Sequence, residues 1–399
     1  MSEFRINSIV STDGQSGVSL PKGVVGVLTA SSGFSGNVTG NVTGNLTGNV
    51  TGDVTTGVGG SITVGNTLIT STSIGIGTTD TAGRNAGVGT AVGTLIYNSS
   101  TNAFEGYGPQ GWKNVKTVEN FNATGGTKDT VSRPGYVVHT FTGDDSFIAV
   151  GGPGSIDLEY LVVAGGGGSP ANGGGGGAGG MRTGTISGAA PGTYTIQVGG
   201  GGAGGHYPTP VENGTPSFIT NPGITSITSA GGGYGTQTHP GLPGGGPGGS
   251  GGGGAGYWGP TIPAGTGNTP PTSPPQGNPG GTGISGTAQG YSGGGGGGAG
   301  GPGNNGTPTT GGNGGNGAPS SITGSDVTYA GGGGGNGAGT VSPGNSSGGP
   351  GGGGDGIKSG GPGTNPGTIN TGGGGGAGGD GAAGGSGGSG IVIIAYPTT

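Results

Sequence analysis

The runs of consecutive glycine constrain this chain most. Runs of four or more fall at 165–168, 173–177, 199–202, 251–254, 293–298, 331–335, 351–354 and 372–376. Glycine loses more conformational freedom on ordering than any other residue and brings no side chain to bury in return. Such a tract is either a flexible linker or a fold held by backbone hydrogen bonds, each worth a net ~0.5–1.5 kcal/mol. In the second case nearly every N–H and C=O needs a partner. Polyproline-II-like rods lying side by side meet that demand. Their amides and carbonyls point outwards in three directions, and without Cβ atoms the backbones can approach closely. The runs predict a stack of such rods, one per run, joined by loops.

Composition narrows the choice. The 399 residues include 124 Gly and 28 Pro. Collagen would need glycine at every third position, and Gly293 to Gly298 followed by Ala299 breaks that period. There is no Cys, so no disulfide framework and no Cys-ligated metal is expected. A net charge of -6 with only 9 Lys and Arg offers no footprint for nucleic acid. No apolar run approaches the ~20 residues that span a bilayer. The opening Met-Ser-Glu-Phe-Arg-Ile lacks the apolar core of a signal peptide, so secretory export is not expected. Past Ala164 the charged residues reduce to Arg182, Glu212, Asp326, Asp355, Lys358 and Asp380. Two regimes therefore meet near that position.

The first regime holds a short repeat. From Gly36 to Thr55 the pattern Gly-Asn-(Val/Leu)-Thr recurs, with Asp53 replacing Asn in the last copy. Its residues are poor helix formers. In an extended chain Val38, Val42, Leu46, Val50 and Val54 share one face, alternating with glycine. One strand cannot bury that stripe alone, whereas several parallel copies can, which predicts a homo-oligomeric and most simply trimeric shaft. The alternative is a flexible polar linker.

Short β-prone pieces follow with turn punctuation. Thr67–Ile69 and Thr94–Tyr97 are the first. Asn98 to Asn102 reads as a turn, as does Gly108-Pro109-Gln110-Gly111 before Trp112. Tyr136–Phe141 and Phe147–Val150 flank Gly143-Asp144-Asp145 and predict a hairpin. In Ile156–Val163, Ile156, Leu158, Tyr160 and Val162 fall on one face, with Asp157 and Glu159 on the other. Helix signals are almost absent.

Order in the glycine tract is favoured over a linker for three reasons. Tyr160–Val163 enters it and Ile391–Tyr396 leaves it, and these two segments are expected to pair. Gly214 to Thr220 parallels Gly317 to Thr323, each followed by a strand-like piece running into glycine, Ile227–Ala230 and Val327–Ala330. Disordered tracts usually carry high net charge, which this one lacks.

These residues resemble a family. Leu158 to Ala164 leading into glycine, the Gly-Ala-Gly-Gly blocks and the closing Gly387 to Pro397 are similar to the glycine-rich C-terminal domain of tailed-phage tail fibres. Gly135 to Thr142 resembles the small β segment that precedes it. The Gly-Asn-Val-Thr repeats and Gly93 to Asn98 resemble phage fibre shafts. The resemblance implies a virion appendage, made in the host cytoplasm, that recognises the host surface, a glycan or an outer-membrane protein, through loops between polyglycine-II helices. It also implies contact with other virion tail or baseplate proteins through the N-terminus. Here shaft and head form one chain.

The expected organisation is an attachment segment at 1–35, a β-rich shaft at 36–120, a small β module at 121–163 and a polyglycine-II sandwich at 164–399. The fold class is mostly β with essentially no α-helix. No catalytic machinery is expected: no HExxH occurs, no Gly-x-Ser-x-Gly lies between a strand and a helix, and no Gly-Lys-Ser/Thr appears. A depolymerase would need paired carboxylates, and those of the glycine-rich part lie far apart in sequence. No cofactor or metal is expected. The large residues that interrupt glycine, His206, Tyr207, Tyr234, His239, Tyr257, Trp258 and Tyr291, belong in loops or at the stack's surface. They are the candidate receptor contacts, because aromatic rings anchor interfaces and stack on sugars; the alternative is packing over the rod ends. Two other function classes remain, a purely structural virion fibre at collar, neck or capsid, and an ice-binding protein.

Overall fold

The computed structural model describes residues 78–87, 92–115, 121–151, 156–237, 243–256, 261–287, 290–337, 346–358, 365–379 and 382–398. The segment 1–35, the repeat with Val38, Val42, Leu46, Val50 and Val54, and Thr67–Ile69 lie outside them.

The described chain is mostly β with one short helix. β1 (Thr78–Thr79), α1 (Thr81–Gly87), β2 (Leu95–Asn98), β3 (Ala103–Gly108) and β4 (Gly111–Asn114) build a four-stranded sheet in the order β1-β2-β3-β4. The Gly83 N–H donates to Asp80 Oδ1 at 2.6 Å, which caps the helix. The turns expected at Asn98–Asn102 and Gly108–Gly111 join β2 to β3 and β3 to β4. Beneath them Glu105 is buried and accepts hydrogen bonds from Arg84 at 2.7 Å and Asn98 at 3.1 Å.

The next strands are β5 (Asn122–Thr124), β6 (Thr127–Asp129), β7 (Tyr136–Phe141), β8 (Asp145–Val150), β9 (Ile156–Val163), β10 (Met181–Ala189), β11 (Gly192–Gln197), β12 (Ser217–Thr220) and β13 (Ile227–Ser229). Then follow β14 (Ile284–Thr287), β15 (Gly290–Ser292), β16 (Ala318–Ser320), β17 (Val327–Tyr329) and β18 (Ile391–Pro397). Two five-stranded sheets, β10-β9-β18-β7-β6 and β13-β12-β11-β8-β5, pack face to face.

The hairpin expected from Tyr136–Phe141 and Phe147–Val150 does not form. β7 pairs with β6 and β18, whereas β8 pairs with β5 and β11. The Gly143-Asp144-Asp145 turn carries the chain from one sheet to the other. Phe141 and Phe147 consequently meet across the core, ring centroids 6.5 Å apart. Apolar alternation in both strands is equally satisfied by facing sheets, so local pattern alone cannot choose between the two arrangements.

The entry and exit strands of the glycine tract do pair. β9 and β18 run antiparallel, with Val163 opposite Ile391 and Leu161 opposite Ile393. β18 is buried on both faces. Val392, Ile394 and Tyr396 join the sandwich core, while Ile391, Ile393 and Ala395 face a second core with Ala178, Ile322, Tyr329 and Ala330. The matching segments found in sequence both form antiparallel hairpins, β12–β13 at the edge of a five-stranded sheet and β16–β17 as a separate pair whose register differs by two residues.

Against that second face stands a bundle of glycine segments whose hydrogen bonds repeat every three residues. In the segment 174–180, Gly174, Gly177 and Gly180 donate to Thr236, Gly233 and Ala230. Gly175 and Ala178 donate to Gly294 and Gly297, and Gly176 and Gly179 to Gly375 and Gly372. The carbonyls of Gly175, Gly176 and Gly177 accept from Gly253, Gly333 and Gly167. This segment therefore has neighbours on six sides, donating to three and accepting from three. The segment beginning at Gly293 repeats the arrangement, with Gly293, Gly296 and Ala299 donating to Asn336, Gly333 and Ala330.

Such closeness requires glycine. A Cβ on Gly175 would overlap the Gly333 carbonyl, and one on Gly174 the Gly253 carbonyl. The bundle also recruits more chain than the long runs alone. Segments with broken glycine patterns, such as 212–215, 278–281, 301–304, 312–315 and 384–388, take part in the same network. Only positions facing the interior need lack a side chain, so Asn278, Asn304 and Asn313 are tolerated.

Candidate functional site

The hydrogen-bond register gives the bundle two ends. At one, Gly180, Ala164, Ala230, Ala299 and Ala330 lie next to the sandwich, since Gly180 leads into β10, Ala164 follows β9, Ala230 follows β13, and Ala299 and Ala330 pack with Ile391 and Ile393 of β18. At the other, a layer of isolated bridges ties Pro170 to Gly205, Ala171 to Gly378, Gly173 to Gln237, Ser292 to Gly337 and Gly337 to Lys358. The chain turns back at this distal end.

Of the described candidate positions, His206, Tyr207 and Tyr291 lie beside bridges of that end. His206 and Tyr207 directly follow Gly205; both are exposed, Tyr207 by 53%. The His206 ring Nδ1 lies 2.8 Å from the Tyr207 carbonyl. Tyr291 is half-buried beside Ser292, whose hydroxyl donates to the Thr307 carbonyl at 2.7 Å. Tyr234 is half-buried within a bundle segment rather than a loop, its N–H donating to Asn213 Oδ1 at 2.8 Å. His239, Tyr257 and Trp258 lie outside the described residues.

Tyr234 lines a distal cavity. It does so with Pro210, Val211, Thr236, Gln237 and Pro243, around a volume of about 240 Å³. The Thr236 hydroxyl donates to the Pro243 carbonyl at 2.7 Å. Gln237 is 8% exposed, and its Nε2 is buried with no hydrogen-bond partner. Sequence reasoning missed Gln237. The available signal was a long polar side chain directly after a glycine segment, where no room exists for it inside the bundle.

A second, polar cavity of about 500 Å³ lies near the sandwich end, lined by Arg133, Glu159, Thr183, Ser320, Ser321 and Asp326 among others. Arg133 grips Glu159 in a two-pronged ion pair at 2.7 and 3.0 Å. Its guanidinium also lies 3.6 Å from the centre of the Tyr136 ring. The hydrogen bond from Arg133, against a smaller opposing effect of burial, holds the Glu159 carboxyl below its ordinary value. That pair is satisfied internally and leaves little of its charge for a ligand.

A family model described as a glycine-rich domain matches residues 142–397, which include both ends of the bundle and all but the first strands of the sandwich. The chain belongs to the glycine-rich domain family. No curated protein matches it.

Chemically, the distal end of the glycine-rich domain offers aromatic faces, prolines and threonine hydroxyls. Glu212 lies near His206 and Tyr207 in sequence but is exposed. Such a surface suits recognition by stacking and hydrogen bonding.

Proposed function

We propose that this protein is a non-enzymatic virion fibre of a tailed phage, which attaches to the host cell surface through the distal loops of its glycine-rich domain. The observation that carries the reading is the three-residue hydrogen-bond period, which holds the loop-bearing end of the bundle in one register. That period, with close approach on all sides, is what adjacent polyglycine-II helices would produce, and we infer that conformation for the bundle. Rigidity matters because a binding surface that is ordered beforehand loses less entropy on contact.

In this reading the Gly-Asn-(Val/Leu)-Thr repeat forms a trimeric shaft, its Val38, Val42, Leu46, Val50 and Val54 stripe buried between copies. The N-terminus joins the tail or baseplate, and the protein resides on the virion. The ligand at the host is a surface glycan or an outer-membrane protein.

Two measurements test this. An antibody to residues 164–399 should label a tail appendage on intact particles by electron microscopy. Purified protein should bind host cells saturably and compete with particle adsorption. Labelling of collar or capsid with no competition would make the protein a structural fibre instead.

A further inference from the structure

We propose that the polar cavity between strand β10 and the β16–β17 hairpin binds a short neutral saccharide, at the sandwich end of the bundle and apart from the distal loops. Thr183 and Thr185 of β10 stand opposite Leu161 and Glu159 of β9, on the sheet face that turns towards the bundle. Leu161 and Ile322 are buried in the second core there, but both threonines remain exposed. Ser321 and Asp326, in the loop that joins β16 to β17, are exposed as well and line the same space, as do Arg133 and Glu159. Hydroxyls and a carboxylate from two separate elements thus converge where a ligand can reach them.

The walls are fixed before any ligand arrives. The Gly324 N–H donates to the Ser321 carbonyl at 2.9 Å. Gly324, at a φ of 96°, packs so closely on the Ser132 carbonyl that a Cβ would overlap it. Next to Ser132, Arg133 is held by its fork on Glu159 and by its place over the Tyr136 ring. The hairpin tip and the loop bearing Arg133 therefore lock one another, and a surface ordered in advance loses less entropy on binding.

The charges and hydroxyls select the ligand class. With Arg133 committed to Glu159, Asp326 is the uncompensated charge among the lining residues. It repels an anion, and a simple cation gains little from one exposed, water-screened carboxylate. An apolar ligand would strip water from the hydroxyls and return no hydrogen bond. A saccharide meets every group: its hydroxyls donate to Asp326 in charge-assisted bonds, and donate to or accept from Thr183, Thr185 and Ser321. The volume of about 500 Å³ falls within the roughly 300–1,000 Å³ usual for small-molecule sites. Two carboxylates on one cavity do not make a hydrolase here. A general acid must carry a proton, and the hydrogen bond from Arg133 holds the Glu159 carboxyl below its ordinary value. The site binds without cleaving.

The test is saturation-transfer NMR on the full chain, with maltotriose, chitotriose and lactose as neutral probes and glucuronate and spermidine as charged ones. At least one neutral probe should receive saturation at its ring protons, more strongly than either charged compound. Thr185→Val keeps the shape and removes a hydroxyl, and Asp326→Ala removes the carboxylate. Both positions are exposed, so thermal melting should match the wild type. Each change should weaken binding of that saccharide at least fivefold, since a site built on hydrogen bonds discriminates against their loss. Thr193→Val, exposed on the other sheet, should bind as the wild type does. Absence of transfer to every neutral probe, stronger transfer to spermidine or glucuronate, or binding that survives both substitutions overturns the proposal. Attachment through the distal loops is read separately, from cell binding, and neither result decides the other.

Discussion

Gly333 donates its N–H to the Gly176 carbonyl at 2.8 Å, while the residue before Gly176, Gly175, sits where a Cβ would overlap the Gly333 oxygen. One pair of segments thus shows both halves of the bundle's logic: the hydrogen bonds exist because the backbones touch, and they touch because no side chain intervenes.

Substitution of Gly175 follows directly. Gly175→Val should destabilise the protein by at least the ~1–3 kcal/mol typical of an overpacked interior, because backbone on the far side cannot move without breaking its own hydrogen bonds. A Cβ on Gly143 would meet nothing within 4 Å, and Gly143→Ala should leave stability unchanged or raise it by a few tenths of a kcal/mol. Urea midpoints of the two variants give the comparison, and equal midpoints would refute the close-packing account.

Hydrogen exchange should resolve the bundle from its loops. The amides of Gly174 to Gly180 are bonded on every side and should exchange only through sub-global or global opening. Exposed His206 and Tyr207 should exchange orders of magnitude faster. Rapid exchange throughout the glycine segments would leave no rigid platform.

The seam between sandwich and bundle depends on a hydroxyl. Ser217 Oγ donates to the Val163 carbonyl and accepts from the Gly199 N–H, both at 2.8 Å, and is fully buried. Ser217→Ala removes the acceptor of the Gly199 N–H and one bond to the Val163 carbonyl, and should cost about 1–3 kcal/mol for the unsatisfied group, less any repair by water. Exposed Ser226 serves as the comparison. A Ser226→Ala variant that loses as much stability would mean the seam is not special.

Acid should weaken the sandwich before its carboxylates protonate. His139 is fully buried, its Nδ1 2.7 Å from the Gly125 carbonyl and its Nε2 without a partner, between Phe147 and Tyr396. Burial pushes its pKa below the ordinary value; the Gly125 carbonyl opposes this and the charge of Lys128 adds to it. The unfolded chain therefore binds a proton near pH ~6.5 that the folded one refuses. Stability should be full above that value and decline as pH falls towards the depressed folded pKa. His139→Phe should flatten that slope in urea titrations between about pH 7 and 5. An unchanged slope would mean that His139 is not its source.

The distal loop should separate binding from folding. His206→Ala with Tyr207→Ala removes two exposed rings. Melting should stay within a degree or two, since exposed substitutions rarely exceed ±0.5 kcal/mol. Cell binding should fall by about tenfold or more if these rings anchor the contact. Full binding by the double variant would assign them a packing role.

Much was legible from residues alone, because local chemistry leaves few options. Glycine without collagen's period demanded backbone-to-backbone bonding, and the pairing of Tyr160–Val163 with Ile391–Tyr396 could be read from two apolar segments bracketing the tract. The repeated Gly-x-Pro-Ser units, each followed by a strand-like piece, marked the segments that the structure pairs as β12–β13 and β16–β17. Tertiary structure decided what alternation cannot encode. It sent Tyr136–Phe141 and Phe147–Val150 into opposite sheets, because an apolar face is buried equally well beside or across from its partner. It recruited Asn-bearing segments into the bundle, because only inward positions must lack a Cβ. It also brought Pro210 and Val211 together with Tyr234 and Pro243 around one cavity, a juxtaposition set by registers between segments, which no single stretch of sequence contains.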